Sequence, residues 1–191
     1  MAIKRSVEFK WLIGFIGLLW LIEWVNQITG GGLRIYGLIP RHFEYVYGIV
    51  TAPLLHGGVG HLLGNTVPLV LLGIMVIQIR SVLIISAFVI LLSGLLVWLF
   101  GRTSIHIGAS GVVMGYWGFL LSYGWFTRSF RAVFYSVITI LLYGGLIYTL
   151  LDFSEQVSFE MHIAGFVSGV ICAWWLAKCK PPRRKQKQKV S

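Results

Sequence analysis

The chain has 191 residues, 57% of them hydrophobic and 12% charged, with a formal net charge of +10 and a mean hydropathy of +0.83. That is more apolar surface than one water-soluble core can hide, so the expected solvent is the bilayer. The basic excess lies in short clusters between and beyond apolar runs, with no soluble domain to present it as a groove; this excludes a nucleic-acid partner and reads as a topology signal.

Six apolar runs follow in chain order, at about 9–27, 58–78, 82–100, 108–126, 130–151 and 158–177, each near the ~20 residues a spanning helix needs. They predict an all-α, polytopic membrane protein. Its six-helix domain covers residues 9–177, between a short N-terminus at 1–8 and a basic tail at 178–191. Lys4, Arg5 and Lys10 precede or open the first run as in a signal peptide, but no small-residue cleavage site follows, so the run is read as a span. Residues 28–57, "ITGGGLRIYGLIPRHFEYVYGIVTAPLLHG", form a long connection rich in aromatics. Tyr36, Phe43, Tyr45 and Tyr47 suit the headgroup level, which predicts that this loop lies in the membrane interface.

Residues 79–81 and 127–129 read as tight turns, and Asp152, Glu155 and Glu160 crowd the last connection. Of the 16 Lys and Arg residues, 13 fall on one side of the predicted spans. The positive-inside bias then places both termini in the cytoplasm. The tail, "KCKPPRRKQKQKVS", is expected to be disordered and to lie near anionic lipid. Cys172 and Cys179, in and just after the last run, provide no disulfide framework.

A polar or ionisable residue inside a span is costly and is therefore a functional candidate. His61 and Asn65 stand near the start of the second run, Ser110 near the start of the fourth and His162 near the start of the sixth. All three runs cross from outside to inside, so the four residues share one outer layer. Glu23, near the end of the first run, can reach the interface and argues little for a transporter.

Glycine spacing indicates which helices touch. Gly108, Gly111, Gly115 and Gly118 recur at steps of three, four and three, and Gly165, Gly169 and Ala173 share the face of His162. Pairing these faces brings Ser110 within hydrogen-bonding reach of His162. A serine hydroxyl becomes a nucleophile when a base takes its proton, and histidine is the usual base near neutral pH. His61 and Asn65, four positions apart on one face, can donate hydrogen bonds to the resulting oxyanion. So can the backbone N–H groups that open the fourth helix, those of Ser110 and Gly111. Aspartyl chemistry needs two carboxylates sharing a proton, whereas Asp152 is the only aspartate; no H-E-x-x-H string supports a zinc peptidase. No metal or cofactor is implied. Glu160 lies on another face from His162, so the base is expected to work without a carboxylate.

"HGGVGHLLGN" (56–65), "GASG" (108–111) and "HIAGFVSG" (162–169), in that order on spans two, four and six, resemble the motifs of rhomboid intramembrane serine proteases. The resemblance covers residues 33–175. It implies a six-helix fold with a water-filled outer cavity, with Ser110 as nucleophile, His162 as general base, and His61, Asn65 and the Ser110 amide as the oxyanion hole. His56 would tie down the first loop, itself partly in the membrane. Many relatives carry an aromatic where this chain has Met114, and the first loop lacks a Trp-Arg pair for which either Arg34 or Arg41 could substitute. The implied substrates are single-span membrane proteins cut near the outer face; the small size, the lack of a soluble extension and the basic tail suggest a bacterial cell membrane. The alternatives are a catalytically silent client-binding relative and a small channel or transporter. The presence of both serine and histidine speaks against the silent relative.

Overall fold

A computed structural model describes residues 2–151 and 158–179; Asp152, Glu155 and residues 180–191 of the tail lie outside the described residues. The helices are α1 (Ala2–Ile28), the short α2 (Gly48–Thr51), α3 (Val59–Ile79), α4 (Val82–Phe100), α5 (Ser110–Thr127), α6 (Phe130–Tyr143) and α7 (Phe159–Lys178). Five stretches are long and apolar enough to cross a membrane: Arg5–Ile28, Val59–Ile79, Val82–Phe100, Phe130–Leu150 and Phe159–Lys178. The chain is thus an all-α, polytopic membrane protein. Its outward faces carry large apolar side chains such as Trp125, Phe130 and Leu141, each at least three-quarters exposed, as a lipid-facing surface requires.

The fourth expected span is α5, which is not among those five. The reason lies in its role. It runs through the middle of the bundle, with 12 of its 18 residues buried, and its glycines exchange apolar surface for close approach. Gly165 and Gly169 of α7 lie against the Gly111 and Gly115 carbonyls of α5, while Gly118 of α5 faces the Phe166 carbonyl. Two glycines depart from the expected pattern. Gly115 turns its bare face to Val89 of α4, and Gly108 lies before the helix, in a turn with φ +118°. The glycine face of α5 therefore serves two neighbours, because a central helix has no single partner.

Interhelical hydrogen bonds complete the packing. Ser86 and Tyr116 pair their hydroxyls at 2.5 Å between α4 and α5, and Ser136 of α6 donates to the Leu120 carbonyl of α5 at 2.6 Å. Buried groups like these have few alternative partners in a bilayer. The fifth expected span, at 130–151, does not stay α-helical throughout: it tightens into a 3-10 segment at Gly144–Leu151. The Gly144–Gly145 pair weakens the helix there, where a change of helical type is least costly.

Residues 28–57 fold into short 3-10 turns at Gly32–Tyr36, Phe43–Tyr45 and Ala52–Leu54 around α2. Leu38 pairs with His106 in an isolated antiparallel bridge, through backbone bonds of 3.0 and 2.8 Å. Of the two candidate arginines, Arg41 fastens the loop: its guanidinium donates to the Gly101 carbonyl at 2.7 Å and to the Thr103 hydroxyl at 2.9 Å. Arg34 makes no such tie, and its Nε is buried without a partner among the described residues.

Candidate active site

The first turns of α3, α5 and α7 meet at one end of the bundle. His61, Asn65, Ser110 and His162 there line one cavity of about 560 Å³, together with Arg102 and His106. Each side chain has a different support.

Ser110 opens α5. Helices α4, α6 and α7 each begin with a serine cap, Ser81, Ser129 and Ser158, whose side chain accepts a backbone N–H of the first turn. Helix α5 begins on Ala109 and has no side-chain cap. The Val112 and Val113 N–H groups bond to the Ala109 carbonyl, and those of Ser110 and Gly111 are left for an anion to accept. Gly108 makes the close approach possible: a Cβ there would lie 2.9 Å from His61 Nε2 and 3.8 Å from Ser110 Oγ, at a φ that L residues rarely adopt.

The tautomers follow from the hydrogen bonds. His61 Nδ1 accepts the Gly57 N–H at 3.3 Å, so in the neutral ring the proton sits on Nε2, the edge next to Gly108. His162 Nδ1 lies 3.0 Å from the Thr149 carbonyl, which can only accept. The neutral His162 ring therefore carries its proton on Nδ1 and its basic lone pair on Nε2. A backbone carbonyl takes the orienting place that no carboxylate could fill. Met114 is buried and supports the ring indirectly, since its sulfur is 3.7 Å from the hydroxyl of the same Thr149. Asn65 is 6% exposed, and its Nδ2 has no hydrogen-bond partner among the described residues. A buried unused donor facing a cavity is costly unless something there accepts from it.

His56 is fully buried behind this layer. Its Nε2 accepts the Ala109 N–H at 3.3 Å, tying the first connection to the start of α5. Burial, and then the neighbouring His61, pushes its pKa from 6.5 down to about 4. The neutral ring is the one that can accept the amide. In the unfolded chain the ring takes up its proton at an ordinary pKa, so the folded state loses stability as pH falls from 6.5 toward 4. Thermal unfolding in detergent should reveal this slope, and His56→Gln should flatten it; an unchanged slope would count against the assignment.

Two features of the site have no counterpart among the residues singled out in the sequence, and a third residue is placed differently. His106 is 1% exposed; its Nε2–H donates to the Arg102 carbonyl at 3.0 Å, and its Nδ1 accepts from Ser158 Oγ at 2.6 Å. It thereby joins the segment before α5 to the cap of α7, and burial lowers its pKa. Arg102 and Glu160 pair at 3.2 Å beside it. Thr149 is the second missed group, because a backbone acceptor leaves no trace in residue type. Glu23 was expected to reach the interface, but its carboxylate is turned into the protein. It is 1% exposed and accepts from Asn26 at 3.1 Å and Gln27 at 2.5 Å, while Asn26 also donates to the His56 carbonyl at 3.4 Å. The polar spacing Glu23, Asn26, Gln27 on one helical face was the available signal.

Helices of an all-α membrane protein that gather histidines, a serine and an unused amide around one cavity define a polytopic protein with an embedded polar site. Residues 44–179 match the Rhomboid domain, and the chain belongs to the rhomboid family. It is similar to uncharacterized proteins of Mycobacterium bovis and Mycobacterium tuberculosis, each 32% identical over 92% of this chain and 79% of the relative. An uncharacterized Mycobacterium leprae protein is 32% identical over 38% of this chain and 32% of its own length.

Proposed function

We propose that the protein is an intramembrane serine endopeptidase of six spans, with α5 added to the five long apolar stretches, that cleaves single-span membrane proteins with Ser110 and His162. The observation that carries this reading is the convergence of Ser110, His162, His61 and Asn65, whose Nδ2 has no partner among the described residues, on one cavity at the start of α5, which lacks a side-chain cap. His162 Nε2 takes the Ser110 proton as Oγ attacks the scissile carbonyl carbon, and the carbonyl π pair moves to oxygen. Asn65 Nδ2, His61 Nε2–H and the N–H groups opening α5 stabilise that oxyanion. Collapse breaks the C–N bond; the His162 proton passes to the leaving amine, leaving an acyl ester on Ser110. Water, deprotonated by the same imidazole, then releases the carboxyl product.

The basic clusters support a cytoplasmic location for both termini and an outward-facing cavity, and the mycobacterial relatives support a bacterial cell membrane. The direct test is labelling with a serine-reactive fluorophosphonate, followed by peptide mapping. Adduct on Ser110 is expected, and a correctly inserted protein that stays unlabelled while its substrate is cut would refute the mechanism. Asn65→Ala and His61→Ala should each lower kcat by about 10–1,000-fold with KM little changed. A change in KM alone would assign them to substrate binding.

A further inference from the structure

The opposite end of the bundle holds a second cavity, of about 400 Å³. Three arginines from separate elements line it: Arg5 of α1, Arg80 of the α3–α4 turn and Arg131 of α6. We propose that this pocket binds the phosphate of an anionic phospholipid.

The charge balance carries the argument. Among the described residues Glu8, which also lines the cavity, is the only acidic residue at this end: Glu23, Glu44 and Glu160 fall in or next to connections at the other. Both Glu8 oxygens are already engaged, Oε1 with the Ser81 hydroxyl at 2.5 Å and Oε2 with the Leu83 N–H at 3.2 Å. None of the three arginines has a carboxylate within ion-pair distance among the described residues, whereas Arg102 at the far end does. Their visible bonds use neutral acceptors. Arg80 donates to the Tyr123 hydroxyl at 2.5 Å and the Leu176 carbonyl at 3.2 Å, with its guanidinium 5.4 Å from the Tyr123 ring centre. Arg131 donates to Gln78 at 3.1 Å. These bonds leave further N–H groups of both forks, and those of Arg5, for a ligand.

Cations needed only to orient a membrane protein can stand apart in water; converging three in one concavity costs repulsion that an anion relieves. Phosphate matches guanidinium forks in charge and geometry, and basic pockets between membrane helices are suited to anionic headgroups. Free inorganic phosphate would share the chemistry. The apolar part of the lining, Ile77, Ile79, Ile84 and Leu176, favours a ligand whose phosphate continues into glyceride and methylene groups.

The test uses the full-length protein in neutral detergent, titrated separately with phosphatidylglycerol, phosphatidylcholine and inorganic phosphate, and followed by native mass spectrometry and thermal unfolding. Phosphatidylglycerol should be retained and raise Tm, and the other two should not. Arg5→Gln combined with Arg131→Gln should weaken phosphatidylglycerol binding at least tenfold, while fluorophosphonate labelling stays unchanged. The tail remains intact in both proteins, so its own attraction to anionic lipid cancels. Should the double variant fail to fold, Arg131→Gln alone gives the same reading with a smaller loss. Equal stabilisation by phosphatidylcholine, unaltered phosphatidylglycerol binding in the variants, or full reproduction of the effect by inorganic phosphate would each overturn the proposal.

Discussion

Ser110→Ala should reduce cleavage of a single-span test substrate by about ten-thousand-fold or more and abolish fluorophosphonate labelling, with helix content and thermal unfolding close to those of the wild type. The first effect follows from removing the attacking oxygen. The second follows from the position of Ser110: it opens α5 without acting as its cap, since Ala109 stands there, so little folding energy depends on the hydroxyl. His162→Ala should lose as much activity, because an unassisted hydroxyl is a poor nucleophile and the two groups act as a unit. Substrate cleavage, labelling and circular dichroism on the same purified samples separate the outcomes. Full activity in either variant, inserted and folded, would rule out the pair as nucleophile and base.

A second large effect is expected at Gly169, well away from the reacting atoms. A methyl group there would overlap the Gly115 carbonyl oxygen and come 2.8 Å from the Phe119 nitrogen. Both obstacles are backbone, so no rotamer change relieves them, and α7 must shift from α5. A displacement near 1 Å at a reacting pair costs about 100-fold in rate. Gly169→Ala should therefore lower kcat by about 100-fold and destabilise the fold by about 1–3 kcal/mol, the usual range for overpacking. Gly14→Ala on α1 is the control, because nothing lies within 4 Å of the added carbon. Steady-state kinetics and thermal unfolding of both variants provide the comparison. Wild-type kcat in folded Gly169→Ala would mean that the α5–α7 contact does not set the distance between Ser110 and His162.

Much of the bundle was legible because the bilayer demands long apolar runs, and their lengths and interruptions appear directly in residue order. The polar exceptions were legible for the same reason: His61, Asn65, Ser110 and His162 are conspicuous where lipid is the solvent. Contacts between side chain and backbone were not. That His162 is oriented by the Thr149 carbonyl, 13 positions earlier, could not be read, because every residue has a carbonyl. Glu23 was misjudged because proximity to a helix end says nothing about which way the residue faces, and a partner such as Asn26 can hold it inside.

What residue order determined alone was the solvent, the helices and the set of polar groups brought to one layer, since each depends on local hydropathy and on the alternation of crossing direction. Tertiary structure decided how those groups are held. It placed α5 in the centre, set Gly115 between Val89 of α4 and Gly169 of α7, moved Gly108 out of the helix, chose Arg41 over Arg34 and drew His106 to Ser158. These are pair properties, set by which backbones can approach and which donors find acceptors across distant parts of the chain. A sequence pattern specifies the groups, but close packing in three dimensions selects their partners.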